Sequence, residues 1–214
     1  MVIEAKKLET KNPFTLTHEE FLELWNNLPA IPQPKNGKWT IQQLVGLTYP
    51  QFWALWRSLP APDFYEMNGE YSGYCPDGGN QEIRKGMAAF MFTESLNLGY
   101  WMGKAVKPIS ADKGEGYNVY RQTGGWERRF LRFGTAMAKS VLDGKLSYTM
   151  YYGHFKNGAG KNDLTDELRK ITKGLYLGVG HTKTPEGHRG QPGPFVFVGP
   201  VRPWQGVEDD SEER

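Results

Sequence analysis

Cysteine is nearly absent from this chain, because Cys75 is the only one among 214 residues. An internal disulfide is therefore excluded, and we expect a reducing, cytoplasmic location. No stretch approaches the roughly 20 consecutive apolar residues of a membrane helix, so we expect no membrane partner. The net charge is only +2, and basic and acidic residues are interspersed. Because no basic stripe could follow a phosphate backbone, we expect no nucleic-acid partner.

The motifs of nucleotide, metal and serine-nucleophile chemistry are also missing. Residues 158–162 faintly resemble a phosphate-binding loop, but Asn162 stands where a Ser or Thr would reach magnesium. The chain has no Gly-x-Ser-x-Gly elbow. His181 and His188 are separated by loop-like sequence, unlike the tight spacing of a zinc site. The sequence therefore predicts no cofactor and no metal.

Aromatic residues, in contrast, are abundant. They make up 14% of the chain, with seven Trp and eleven Tyr. Aromatic side chains bring a large contact area, and Tyr and Trp add a polar group, so they are suited to lining a binding cavity. Plain packing in a hydrophobic core is the alternative use of the same residues.

A segment near the start of the chain occurs twice. Residues 16–30 recur as residues 47–61, with eight of fifteen positions identical. Each copy begins with a capping-box pattern and carries apolar residues at helical spacing, which predicts two short amphipathic helices. We expect residues 1–64 to form a helical segment packed on the main domain. It could cap one end of that domain or contact a second copy of the chain, so a homodimer is left open.

The remainder, residues 65–204, is predicted to be rich in strands. Strands are expected at 175–182 and 194–199, with one helix at 81–92, Gly-rich loops at 110–126 and 153–166, and a disordered tail at 205–214. The clearest hairpin spans 135–152. If Asp143 and Gly144 form a two-residue type I′ turn, Lys139 lies opposite Tyr148 and Met137 lies opposite Met150.

Many strands with few helices predict a mainly β protein. Closure into an antiparallel, lipocalin-like barrel removes exposed strand edges and leaves room for a small ligand. We therefore expect such a barrel, with two N-terminal helices and one helix after the first strand. A cone-shaped α+β barrel is the alternative.

A family resemblance supports this fold. The motif Gly69-Glu-Tyr-Ser-Gly73, followed after a helix by Leu98-Gly-Tyr-Trp-Met-Gly-Lys104, resembles the paired signatures of the GxWxG-motif proteins, an uncharacterised lipocalin-like group. Parts of residues 136–197 are similar to the domain of unknown function that usually follows that motif. Tyr71 replaces the motif tryptophan here. Because some small barrels with a similar start resemble nitric-oxide-handling haem proteins, a haem on His181 or His188 also stays open.

Four residues are candidates for catalysis. Lys139 lies in an apolar alternating pattern, where desolvation would favour its neutral, basic form. Tyr148 and Tyr152 would point the same way and could donate hydrogen bonds to a developing oxyanion. His181 shares the apolar face of its strand and is the natural acid or base near neutrality. In each case the alternative is structural: a lysine reaching solvent, or core residues with satisfied hydrogen bonds.

Six further residues are predicted to contact a ligand. Tyr71, flanked by glycines, is expected to plug the barrel floor. The others share aromatic or flexible side chains near the predicted cavity. The full set is Trp56, Tyr71, Tyr100, Trp101, Met137 and Met150.

These features predict a cofactor-independent lyase or isomerase that acts by general acid–base chemistry on a small hydrophobic ring compound of aromatic, polyketide or terpenoid type. A carrier or sensor that only binds such a molecule is the first alternative. A structural role for the duplicated helices is the second.

Overall fold

Eight antiparallel strands close into a barrel, and each strand pairs with its neighbours in chain order. The computed structural model describes residues 16–91, 98–161, 163–182 and 193–208. The strands are β1 Gly69–Tyr74, β2 Tyr100–Pro108, β3 Gly114–Arg121, β4 Glu127–Lys139, β5 Leu146–Tyr151, β6 Thr165–Thr172, β7 Leu175–His181 and β8 Gly193–Arg202. The predicted mainly β, closed antiparallel barrel is confirmed.

Short helices accompany the barrel. They are α1 His18–Asn26, α2 Ile41–Val45, α3 Tyr49–Ser58, α4 Gln81–Met91 and α5 Gly158–Lys161, with 3-10 turns at Lys35–Gly37 and Tyr152–His154. The duplicated segments form α1 and α3, and their predicted capping boxes are present. The predicted helix after β1 is present as α4. The helix α2 between the two copies was not predicted.

The apolar faces of α1 and α3 pack on the outer wall of β7 and β8. Trp53 lies at the centre of this layer, with its ring centroid 5.5 Å from that of Phe21 and 5.4 Å from that of Trp56. The strands contribute Leu177 and Val196 to the same cluster. The two helices therefore cover the side of the barrel rather than its end.

The inward faces of the strands form a second, aromatic-rich cluster inside the barrel. At one end, Tyr71 stacks on Phe197 with a centroid separation of 4.6 Å. The Tyr71 hydroxyl donates to the carbonyl of Glu66 and accepts from the backbone N–H of Asn68, both at 3.1 Å. Tyr71 is therefore buried in the barrel interior with its hydroxyl group engaged, and its predicted role as a plug of the barrel floor stays a prediction.

The predicted register of the β4–β5 hairpin is wrong. Lys139 lies opposite Leu146, and Met137 lies opposite Tyr148. The backbone N–H of Ser140 donates to the Lys145 carbonyl at 2.8 Å, which closes a four-residue loop at 141–144 in place of a two-residue turn. A shift of two residues keeps each side chain on its expected face but leaves Lys139 exposed at the strand end.

Strand β3 lies where the sequence predicted a Gly-rich loop at 110–126. Its glycines serve close packing rather than turns. At Gly116, an added Cβ would overlap the ring of Phe133. The missed strand matters for the site described below, because β3 carries Asn118 and Tyr120 into the barrel.

The predicted disordered tail at 205–214 is partly ordered. The Trp204 ring lies 4.5 Å from that of Tyr117 on the outer wall, and the Gln205 N–H donates to the Tyr117 hydroxyl at 3.1 Å. The Glu208 N–H donates to the Arg129 carbonyl at 2.8 Å. Residues 209–214 lie outside the described residues.

A buried hydrogen bond between His181 and Glu167 joins β6 and β7. His181 Nε2 lies 3.0 Å from Glu167 Oε1, and both side chains are almost fully buried. Burial acts to raise the pKa of Glu167, but His181, Ser140 and Arg169 together hold it below its ordinary value. Glu167 therefore stabilises the fold in its charged form.

This shift predicts a pH dependence. The stabilisation by Glu167 is complete above the unfolded-state pKa of 4.5 and is lost as the pH falls through the lower folded-state value. We expect Glu167→Gln to flatten the decline of the free energy of unfolding between about pH 6 and about pH 3. Urea titrations at several pH values across that range measure the free energy of unfolding of both proteins. An equal decline in both proteins would contradict the assignment.

None of the helices in the described part of the chain is long and apolar enough to cross a membrane.

Candidate functional site

Four polar side chains enter the aromatic interior of the barrel. Lys104 comes from β2, Asn118 from β3, Tyr152 from the 3-10 turn after β5 and Asp166 from β6. Each is at most 5% exposed. We call these four residues the interior polar cluster.

Lys104 is the centre of this cluster. Its Nζ lies 2.9 Å from Asp166 Oδ2, 2.6 Å from the Tyr152 hydroxyl and 2.8 Å from Asn118 Oδ1. An ammonium group has three N–H donors, and three acceptors surround it here. Because a buried charge is tolerated only when paired and hydrogen-bonded, these contacts explain how a lysine is held inside the barrel.

The side chains of Asn118 and Tyr152 also use their hydrogen-bonding groups fully. Asn118 Nδ2 donates to the Tyr152 hydroxyl at 2.8 Å and to the Leu131 carbonyl at 3.1 Å, while its Oδ1 also accepts from Trp101 Nε1 at 3.1 Å. The Tyr152 hydroxyl donates to Asp166 Oδ2 at 3.2 Å. Their hydrogen-bonding capacity is therefore used within the cluster, which fixes its geometry.

Two further polar atoms near the cluster have no hydrogen-bond partner among the described residues, and the hydroxyl of Tyr148, buried in the same interior, also has none. Asp166 Oδ1 accepts no hydrogen bond there, and it faces Gly180, where an added Cβ would come within 2.6 Å of it. Tyr120, which is 7% exposed, extends from β3 into the same interior, and its hydroxyl has no hydrogen-bond partner there. The charge of Asp166 acts on this hydroxyl electrostatically. An acceptor and a hydroxyl are thus available together.

Aromatic rings surround the cluster. Lys104 Nζ lies between 5.2 and 5.7 Å from the ring centroids of Trp101, Phe133, Tyr152 and Phe195. Such faces stabilise a desolvated cation and exclude water, so electrostatic interactions inside are stronger than in solvent.

Both tyrosines of the site are held in the neutral form. Burial raises the pKa of Tyr152 well above its ordinary value, and the charge of Asp166 raises it further, while the hydrogen bond from Asn118 opposes the shift. Burial and Asp166 also raise the pKa of Tyr120. Each hydroxyl therefore keeps its proton near neutral pH and acts as a hydrogen-bond donor.

A β-bulge explains how Lys104 reaches the interior. The pairing of β2 with β3 shifts between Trp101 and Gly103, so Trp101 and Lys104 both point inward although they are three residues apart. Gly103 has φ +144°, and an added Cβ would collide with the Tyr71 carbonyl. A bulge of this kind re-aims a side chain, and here only glycine fits it.

Cys75 packs against the interior cluster, and the charge of Lys104 acts on its thiol. Burial raises the pKa of Cys75 to about 12, Lys104 acts to lower it, and Asp77 acts to raise it. Because the thiolate is the reactive form, we expect the folded protein to resist alkylation by iodoacetamide at about pH 8 and to react after unfolding in guanidinium. Mass spectrometry measures the extent of alkylation in the folded and in the unfolded protein. Rapid labelling of the folded chain would contradict this placement.

Of the predicted site residues, Tyr152 belongs to the interior polar cluster, and Trp101 contacts it by donating to Asn118. Tyr71, Tyr148 and Met150 are buried in the barrel interior, and the partly buried Met137 packs against them. Tyr152 does not share a strand with Tyr148 as predicted, because β5 ends at Tyr151.

Four other predicted residues lie elsewhere. Lys139 is exposed, and Tyr100 is 54% exposed. Trp56 is a buried residue of α3 outside the barrel, with the Arg169 guanidinium 4.5 Å from its ring centroid. His181 shares the buried face of β7 as predicted, but that face is the outer one and His181 pairs there with Glu167. His188 lies outside the described residues.

Sequence reasoning missed Lys104, Asn118, Tyr120 and Asp166. The one local signal was Asp166, which alternates with Leu168 at the start of a strand. Lys104 was missed because the bulge breaks the regular alternation of β2. Asn118 and Tyr120 were missed because the glycines of β3 predicted a loop there. Within the described ranges, no group of three or more His, Cys, Asp or Glu side chains could hold a metal ion.

Comparison with known proteins adds little. No family model matches the chain, and no curated protein matches it. Among solved structures, a protein from Thermomonospora curvata superposes with a TM-score of 0.47 and 20% sequence identity, over 71% of this chain and 87% of that one. The resemblance to the GxWxG-motif proteins stays a prediction.

Proposed function

We propose that the protein is a cofactor-independent lyase or isomerase that moves a proton on a small, hydrophobic, ring-containing carbonyl compound. One observation carries this proposal. Asp166 Oδ1 and the Tyr120 hydroxyl have no hydrogen-bond partner among the described residues, and the charge of Asp166 acts on that hydroxyl, while Asp166 Oδ2 is held by Lys104 and Tyr152. A carboxylate beside a neutral hydroxyl is the pair that enolisation requires.

In the proposed reaction, Asp166 Oδ1 takes a proton from the carbon next to the substrate carbonyl. The electrons of that C–H bond form the enolate, and Tyr120 donates a hydrogen bond to its oxygen. Return of the proton from Asp166 to a different carbon completes an isomerisation. Expulsion of a group from the β-carbon completes an elimination instead.

Lys104, Tyr152 and Asn118 are positioning residues in this proposal. Their mutual hydrogen bonds hold the Asp166 carboxylate with one oxygen engaged and the other available. Preorganisation of this kind means that little rearrangement is needed when charge develops on the substrate.

The test is isotope exchange. β-Tetralone, a two-ring ketone with acidic hydrogens beside its carbonyl, is incubated with the protein in D₂O, and NMR follows the loss of those hydrogens. We expect exchange above the buffer rate in proportion to protein concentration, and slower exchange with Tyr120→Phe. An exchange rate equal to that in buffer, with bound ketone detected, would refute the catalytic proposal.

A carrier that binds without reaction is the second candidate. The saturation of Lys104, Asn118 and Tyr152 favours it, because a rigid polar cluster with one free acceptor also suits selective binding. The exchange experiment separates the two, since a carrier would bind the ketone and leave its hydrogens in place.

A further inference from the structure

The charge balance of the site restricts its ligand. Lys104 and Asp166 carry opposite charges and lie 2.9 Å apart, with side chains 7% and 4% exposed. The pair is close to neutral when seen from a distance. An anionic ligand would approach Asp166 Oδ1 directly and be repelled in a medium that screens charge poorly. A cationic ligand would compete with Lys104, whose donors are already used. The balance favours an uncharged ligand.

The hydrogen-bonding pattern restricts it further. Asp166 Oδ1 only accepts, so the ligand must supply a donor to it. The Tyr120 hydroxyl keeps its proton and can donate to an oxygen of the ligand. A single hydroxyl on the ligand satisfies both requirements, because it donates to Asp166 and accepts from Tyr120.

The walls define the rest of the molecule. The rings of Trp101 and Phe195 meet edge to face with centroids 5.8 Å apart, and those of Tyr120 and Phe130 lie 5.0 Å apart. Aromatic surfaces of this kind favour flat, apolar partners.

From these three features we infer that the ligand class is the uncharged enol or phenol: a flat ring system whose hydroxyl binds between Asp166 Oδ1 and Tyr120. This inference rests on the proposed function, because it assigns a ligand to the same site, and an enol is the protonated form of the intermediate in that reaction. Carboxylates and amines belong to the rejected classes, and an ether, which cannot donate to Asp166, is expected to bind more weakly than the hydroxyl compound.

The experiment compares matched probes by isothermal titration and by thermal shift. The two-ring set is 2-naphthol, 2-methoxynaphthalene and 2-naphthoate, and the one-ring set is phenol, anisole and benzoate. We expect the hydroxyl compound of at least one set to bind about 10-fold or more tightly than its methyl ether, since the ether leaves a buried acceptor unpaired. We expect the carboxylates to bind more weakly still.

Two variants assign the preference to the site. Asp166→Asn should reduce the hydroxyl-over-ether ratio severalfold, because only the hydroxyl donates to Asp166. Tyr120→Phe should weaken binding of the hydroxyl compound and the ether alike, because the oxygen of either one can accept from Tyr120. Glu167→Gln is the matched control, because Glu167 is a buried carboxylate on the same strand that faces the outer wall. It should leave the ratio as in the wild type.

The outcomes separate this inference from the proposed function. Equal binding of hydroxyl and ether, a preference for the carboxylates, or no binding by any probe would overturn the ligand class, even if β-tetralone exchange were observed. A hydroxyl preference lost in Asp166→Asn, without any exchange, would support the ligand class and leave the protein a carrier.

Discussion

Replacing Asp166 by asparagine is expected to slow the proposed proton exchange by about 10²–10⁴-fold, the range that a positioned general base contributes. Asparagine has nearly the same shape, so the hydrogen bonds at Oδ2 are largely kept. It cannot take a proton at neutral pH, however. The measurement is the NMR exchange rate of β-tetralone at saturating ketone, and a rate within a factor of about two of the wild type would contradict the assignment.

A second measurement guards against a simple loss of folding. Asp166→Asn leaves the buried Lys104 ammonium without its counter-charge, which costs stability. In the double variant Lys104→Met, Asp166→Asn both charges are gone, and we expect stability to recover in part while the rate stays low. Glu167→Gln should keep the wild-type rate. A double variant that regained activity would show that Asp166 acts only through the fold.

Replacing Arg169 by alanine is expected to lower the free energy of unfolding by about 3–5 kcal/mol, the cost of removing one partner from a buried ion pair. Arg169 Nη2 lies 2.8 Å from Asp143 Oδ1, with side chains 1% and 3% exposed. Arg169 Nη1 also donates to the Leu59 carbonyl at 3.2 Å, and the guanidinium lies over Trp56. One side chain thus links the barrel wall, the β4–β5 loop and the end of α3.

Urea unfolding measures this loss, and Lys85→Ala is the control. Lys85 pairs with Glu82 at 2.9 Å, but both side chains are more than half exposed, so its removal should change stability little. Arg169→Met combined with Asp143→Asn should recover part of the loss, because no buried charge is then unpaired. A loss for Arg169→Ala no larger than that for Lys85→Ala would show that the contact contributes nothing net.

The duplicated helices show what local patterns determine. Both capping boxes and both apolar faces were readable in residues 16–30 and 47–61, because capping and helical periodicity depend on neighbours within one or two turns. The surface that receives these faces was not readable. It consists of side chains from β7 and β8, more than a hundred residues away in the chain.

The hairpin shows the limit of a local rule. Asp143-Gly144 predicted a two-residue turn, yet Asp143 accepts from Arg169 of another strand and the loop contains four residues. Tertiary contacts overrode the turn preference, and the two-residue shift removed Lys139 from consideration as a buried base.

The sequence by itself determined a mainly β fold and two amphipathic helices, because periodicity and composition encode which face of each element is buried. Only the tertiary structure decided which polar residues share the barrel interior. Lys104, Asn118, Tyr152 and Asp166 come from four separate elements, and their meeting depends on a bulge in β2 and on the closure of the barrel. Both arise from pairing between strands, which no single stretch of sequence contains.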